Sequence, residues 1–276
     1  MSVFPSSMHL HTHFGDGANS PEEMILAAID HGFVSVGLSE HAYAPYDLDV
    51  CIPKSKMEAY QTEVLSLKDK YASKIDVSCG LEADFYQIAD YVGGGWGHII
   101  GSVHYVRSKK TDKYYTIDFN PEDFEEGIED AGGGSVQTFV EQYGENLLNL
   151  VKFRPDIVGH LDVISKLNRD NRFFDPKAGW YKAIWEKVTT AVAAAGLVCE
   201  INTGGMARGY VDHPYPSGDI LRLLHSKGGA VTICSDAHEK NMINFGFEQS
   251  LDILRKVGYK SVKLWRNGRF EDFPIN

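Results

Sequence analysis

Short apolar runs rich in β-branched residues alternate with stretches of helical period along almost the whole chain. Strands are expected at 8–13, 34–38, 75–81, 98–103, 156–159, 197–201 and 230–234, seven before the tail. Between them, apolar positions recur at three- and four-residue spacing over 55–72, 137–151, 178–195, 217–227 and 247–257, the pattern of helices with one buried face. A further helix follows the first strand. Ser20 is its N-cap, Pro21 its first helical residue and Glu23 closes a capping box; Met24, Ile25, Ala28 and Ile29 form its buried face, and Gly32 ends it. Segments 261–265 and 268–273 read as a closing strand or hairpin. Strands that are apolar throughout and separated by helices predict a parallel sheet covered by helices.

Length agrees with that architecture, because 276 residues suit one α/β barrel spanning 1–276. Segment 107–134 breaks the rhythm. Its Glu122, Asp123, Glu125, Glu126, Glu129 and Asp130 run into Gly132-Gly133-Gly134, an acidic insertion expected as a solvated helix and linker, with a lid over the site as the alternative.

The net charge of -11 argues against nucleic acid as a partner, since tracking phosphates needs clustered Lys and Arg. A small phosphorylated molecule stays compatible with an acidic chain when metal ions supply the positive charge. Cys51, Cys79, Cys199 and Cys234 lack metal-finger spacing, and three of them lie in apolar runs, as reduced packing residues do. Residues 1–5 lack the regions of a signal peptide, and no apolar run reaches the ~20 residues that cross a bilayer. A cytoplasmic protein without membrane contact is expected.

The chemistry sits just after the strands. His9 and His11, two apart, direct both rings to one side of the first strand. Glu40 and His41 follow the second, Glu82 the third, His104 the fourth, His160 the fifth, and Asp236 and His238 the seventh. In a barrel of parallel strands these ends open on one face, so residues distant in sequence converge there. Imidazole and carboxylate without thiolate suit catalytic Zn, Fe or Mn.

These residues fall in ordered motifs: His9-Leu10-His11 with Asp16-Gly17, Ser39-Glu40-His41, Gly80-Leu81-Glu82, Gly101-Ser102-Val103-His104, Val158-Gly159-His160-Leu161-Asp162 and Ser235-Asp236-Ala237-His238. Together they resemble the PHP (polymerase and histidinol phosphatase) superfamily, and Glu200-Ile201-Asn202-Thr203 with Tyr215-Pro216-Ser217 bring the chain nearest the monofunctional histidinol-phosphate phosphatases. The resemblance implies a single-domain, distorted (β/α)7 TIM-like barrel holding three divalent metal ions. One would be held by His9, His11, Glu82 and Asp236, a second by Glu82, His104 and His160, and a third by Asp16, His41 and His238. It also implies hydrolysis of L-histidinol phosphate to L-histidinol and phosphate, by in-line attack of a metal-bridging hydroxide.

For the substrate's phosphate, Arg208 is the leading candidate, in the glycine-rich loop after the sixth strand, and Lys166 a second. Ser102 is expected to donate to substrate or ligands, and Asp236 or His238 to relay a proton to the leaving alkoxide. The acidic insertion offers a carboxylate for the substrate's ammonium. Rival functions are another PHP phosphoesterase, acting on protein phosphotyrosine or on nucleic acid, and a non-catalytic metal-binding module.

Overall fold

The computed structural model describes residues 4–275. Seven strands form one sheet in the order β1 (Ser6–Ser7), β2 (Ser35–His41), β3 (Asp76–Asp84), β4 (His98–Ser102), β7 (Ile157–Val158), β8 (Val198–Asn202) and β9 (Ala230–Cys234). Every pairing in it is parallel. The sheet curls until its edges meet, where Leu10 forms a parallel bridge with Ala237 and His11 N donates to Ala237 O at 3.0 Å. The result is a distorted seven-stranded (β/α) barrel.

The first strand lies earlier than the sequence pattern suggests. Ladder pairing covers Ser6–Ser7 and stops, so that His9 and His11 stand beyond the strand end, held in line by the Leu10 bridge and by Ser39 N donating to Leu10 O at 2.9 Å. Elsewhere the expected helices form where their periodicity puts them: α1 (Pro21–Asp30), α2 (Met57–Tyr71), α4 (Val136–Leu150), α5 (Gly179–Ala195), α7 (Gly218–Ser226) and α8 (Phe247–Val257). The capping box of α1 is complete, with Ser20 Oγ accepting from Glu23 N and the Glu23 carboxylate accepting from Ser20 N at 3.0 Å.

The acidic insertion is folded and only half solvated. Strands β5 (Tyr105–Arg107) and β6 (Tyr114–Thr116) make an antiparallel hairpin, followed by α3 (Pro121–Asp130), while a short helix α6 (Gly204–Ala207) follows β8. Glu122, Glu125, Glu126 and Glu129 of α3 face outward, whereas Tyr115, Ile117 and Phe124 are buried and pin the segment to the body. Its inner edge reaches the barrel mouth.

At the other end, the hairpin β10 (Ser261–Arg266) and β11 (Arg269–Pro274) closes the barrel. Its Trp265 packs with Met8, Ile100, Ile157 and Cys234. Here His98 is buried and bonded on both nitrogens, Nδ1 to Ser78 Oγ and Nε2 to Met8 O, each at 2.8 Å. Burial drives its pKa down to about 4, so it is a neutral packing residue. Gly37 and Gly80 make room for its ring, and a Cβ on Gly80 would overlap it. Gly80→Ala is therefore expected to lower stability by at least ~1–3 kcal/mol, the usual cost of overpacking, read as a lower denaturation midpoint.

Candidate metal centre

Glu82 lies at the C-terminal end of β3, almost fully buried, and five imidazoles face its two oxygens. Around Oε2 stand His41 Nδ1 at 3.0 Å, His9 Nε2 at 3.1 Å and His11 Nε2 at 3.7 Å. Around Oε1 stand His160 Nε2 at 3.1 Å and His104 Nε2 at 3.3 Å, themselves 3.2 Å apart. Ser102 Oγ also donates to Oε1, at 2.6 Å.

Asp236 extends the cluster in a second direction. Its φ of +51° is the left-handed conformation that non-glycine residues rarely adopt, held here where the chain leaves β9 for the site. Oδ1 faces His11 Nε2 at 3.2 Å and His9 Nε2 at 3.7 Å, while Oδ2 accepts from Arg208 Nη2 at 3.2 Å. At the rim, Asp16 Oδ2 lies 3.0 Å from His238 Nε2 and 4.0 Å from His41 Nε2. The ligand atoms thus fall into three overlapping groups: His9, His11 and Asp236; His41, Glu82 and His104; and His11, Asp16, His41 and His238. His11 and His41 each sit between two groups, a sharing that the sequence motifs do not reveal.

The electrostatics of this cluster are those of unscreened ligands. Burial alone would raise the pKa of Glu82, but His9, His104 and His41 hold it well below the ordinary range, and Asp236 is depressed likewise, chiefly by Arg208 and His9. Burial disfavours charge on the histidines too; Glu82 nevertheless takes His41 up to about 10 and His104 to about 9. His11, buried beside His238 and His41, falls to about 3. Divalent ions fit this site: His9 Nε2, His11 Nε2 and Glu82 Oε2 are buried, mutually facing lone-pair donors without a hydrogen-bond partner.

Outer contacts orient the ligands. Glu200 Oε2 lies 2.8 Å from His9 Nδ1, and its Oε1 accepts from His160 N at 2.7 Å and Asn202 Nδ2 at 2.8 Å. Asp84 Oδ2 accepts from His104 N at 2.8 Å. Glu40 accepts from Thr12 N at 2.8 Å and from the Thr12 hydroxyl; burial pushes its pKa up to about 8. None of these carboxylates was singled out in the sequence as a partner of a ligand, although Glu200, a lone charge inside an apolar strand, is the one visible signal. Glu200→Ala should weaken metal affinity by ~10–100-fold, as loss of an outer-shell partner does, measured by competition with a chelating dye.

Of the residues expected at the substrate, Arg208 and Lys166 line the cavity of about 580 Å3 above the cluster. Lys166 Nζ is held by Asp118 Oδ2 at 3.1 Å. Ser102 does not line it: buried beneath Glu82, it belongs to the ligand side, because its hydroxyl is consumed by that carboxylate.

The family model for the PHP domain matches residues 7–204, most of the chain. The chain belongs to the PHP domain family. Among its relatives, a protein of Deinococcus radiodurans named "Probable histidinol-phosphatase" is 30% identical over 264 residues, covering 92% of this chain and 94% of its own. A Schizosaccharomyces pombe protein of the same name is 24% identical over 268 residues, covering 90% and 84%. Histidinol phosphate phosphatase from Lactococcus lactis, solved with zinc, L-histidinol and phosphate, superposes with a TM-score of 0.71 at 19% identity, covering 98% of this chain and 100% of that one. At that identity it speaks for the shared barrel.

Proposed function

We propose that this chain hydrolyses L-histidinol phosphate to L-histidinol and inorganic phosphate. The observation that carries the reaction class is Glu82 bridging five imidazoles at the floor of an open cavity. The substrate follows from the name borne by relatives that align along nearly their whole length. The whole of 1–276 acts as one domain in this reading.

His9, His11, Glu82 and Asp236 would hold one divalent ion, Glu82, His104 and His160 a second, and Asp16, His41 and His238 a third, in Zn, Fe or Mn form. Such ions make water a nucleophile at neutral pH and neutralise phosphoryl charge. The chain itself binds and orients the ester. Arg208, with its side chain 37% exposed, presents a planar fork to the phosphoryl oxygens beside Asp236. Asp236 and His238 each divide their atoms between two sides. Asp236 Oδ1 and His238 Nε2 face ligand-cluster groups, while Asp236 Oδ2 and His238 Nδ1 lie 3.2 and 3.0 Å from the Arg208 guanidinium. Held ionised by Arg208 and His9, Asp236 Oδ2 fixes the guanidinium, which leaves His238 to relay a proton to the leaving alkoxide.

A small-molecule phosphate monoester suits the acidic chain, and a cytoplasmic setting is in keeping with four buried, unpaired cysteines. No described helix is long and apolar enough to cross a membrane. Turnover of L-histidinol phosphate, a phosphotyrosine peptide and single-stranded DNA by the metal-loaded protein tests the reading. Strong preference for the first is expected; preference for either of the others overturns the substrate, and inactivity on all three overturns catalysis.

A further inference from the structure

The cavity wall facing the ligand cluster has a chemistry that a bare phosphate does not call for. Asp47, Asp49, Asp118 and Asp123 line it, and carboxylates repel a phosphate dianion; Asp49 is exposed to solvent. Asp123 is occupied within its own segment, its Oδ2 accepting from Thr116 N and Thr116 Oγ1. Asp47 lies beside the Tyr105 phenol.

Asp118 is different. It stands at the tip of the insertion between β6 and α3, fixed to the site by Ile117 N donating to His104 O at 3.0 Å. Its side chain is 19% exposed, and its Oδ2 takes Lys166 Nζ at 3.1 Å. Its Oδ1 has no hydrogen-bond partner among the described residues. Lys166 is fixed in turn over the Tyr210 ring, 4.8 Å from its centroid. Paired with the Lys166 ammonium, Asp118 stands as a carboxylate acceptor.

Three apolar side chains share the mouth with this carboxylate. Leu48, Phe119 and Tyr210, three of the large apolar side chains most exposed to solvent, all line the cavity from separate segments. A ligand with a cationic centre near its phosphate and a flat ring further out would meet Asp118 with the first and cover these side chains with the second. In an amino-alcohol phosphate the nitrogen lies only about 3–4 Å from the ester oxygen, given bonds near 1.5 Å. The receptor carboxylate must then adjoin the phosphoryl site, as Asp118 does: it shares the cavity with His104 and His160, pairs with Lys166, and follows Ile117, whose N donates to His104 O.

We propose that Asp118 binds the ammonium group on the carbon next to the ester carbon, and thereby selects amino-alcohol phosphates over esters lacking the amine. The inference rests on the histidinol-phosphatase reading and specifies how that substrate is told apart. Lys166 orients Asp118 and links it to the phosphoryl side.

The test uses calorimetric binding of L-histidinol and its des-amino analogue, with hydrolysis of the two phosphate esters, on wild type and Asp118→Asn. Wild type is expected to bind L-histidinol at least about tenfold tighter than the analogue, and Asp118→Asn to erase that difference. For the variant, kcat/KM should fall ~10–100-fold on the aminated ester and stay within about threefold on the other. Equal loss on both esters, or no amine preference in wild type, overturns the proposal. Should that variant fold poorly, Asp118→Glu replaces it: the amine preference is expected to shrink but persist, and an unchanged preference overturns the proposal. A pair without the imidazole, 2-aminopropyl and propyl phosphate, separates the two claims. Amine preference there with no turnover of L-histidinol phosphate would sink the substrate reading and keep Asp118. Turnover of L-histidinol phosphate with no amine preference in either pair would do the reverse.

Discussion

Glu82→Gln should abolish phosphate release while leaving the barrel folded. The substitution keeps size and one oxygen but removes the charge that five imidazoles surround, at distances between 3.0 and 3.7 Å. An amide nitrogen in place of either oxygen turns an acceptor into a donor aimed at ring nitrogens that must be free to coordinate. Because Glu82 belongs to two of the proposed ion sites, its loss should exceed the ~100-fold cost of losing an outer-shell partner and reduce the number of ions retained. Phosphate assay and elemental analysis of the purified variant check both parts. Near-normal turnover, or an unchanged ion count, would contradict the ligand assignment.

Removing the ions from the wild-type chain is the second large effect. The nine side chains proposed as ligands converge, and without cations their carboxylates and imidazoles neutralise one another only partly. His11, with a pKa near 3, stays uncharged beside its neighbours. An ion present at a hundred times its dissociation constant adds ~2.7 kcal/mol to folding stability. For a chain of this size that corresponds to roughly 5–10 °C in Tm. Chelation should therefore abolish activity and lower Tm by at least that amount, with both restored by readded Zn, Fe or Mn. A Tm indifferent to chelator would mean that the cluster holds no ion in the folded state.

Much of this centre is readable in the sequence because a parallel barrel converts position into proximity. Residues that follow successive strands must share a face, so His9, His11, Glu82, His104, His160, Asp236 and His238 declare themselves together. Six of the seven strands are legible for a related reason: buried on both sides, they are short, mainly apolar runs rich in β-branched residues. The start of the first strand is misread because His9 and His11 show the two-residue period of a strand. The ladder nevertheless ends at Ser7, which frees the following backbone to turn its rings into the site.

What escapes is whatever depends on a partner far along the chain. Glu200 supports His9 from 191 residues away; its motif and its charge in an apolar run mark the residue, but not its partner. Ser102 looks like a strand-end hydroxyl open to substrate until Glu82 is seen above it. In the insertion, the acidic period of α3 masks Tyr115, Ile117 and Phe124, which decide that the segment packs. It equally hides Asp118, whose meaning comes from His104 and Lys166.

The most direct test of the central claim is a titration of metal-free protein with Mn, Fe or Zn, recording phosphate release from L-histidinol phosphate beside bound ions per chain. Activity should be absent at zero loading, rise with the ions retained and level off at about three, the number of ion sites proposed. Undiminished turnover in the presence of excess chelator, or none at any loading, would contradict the account.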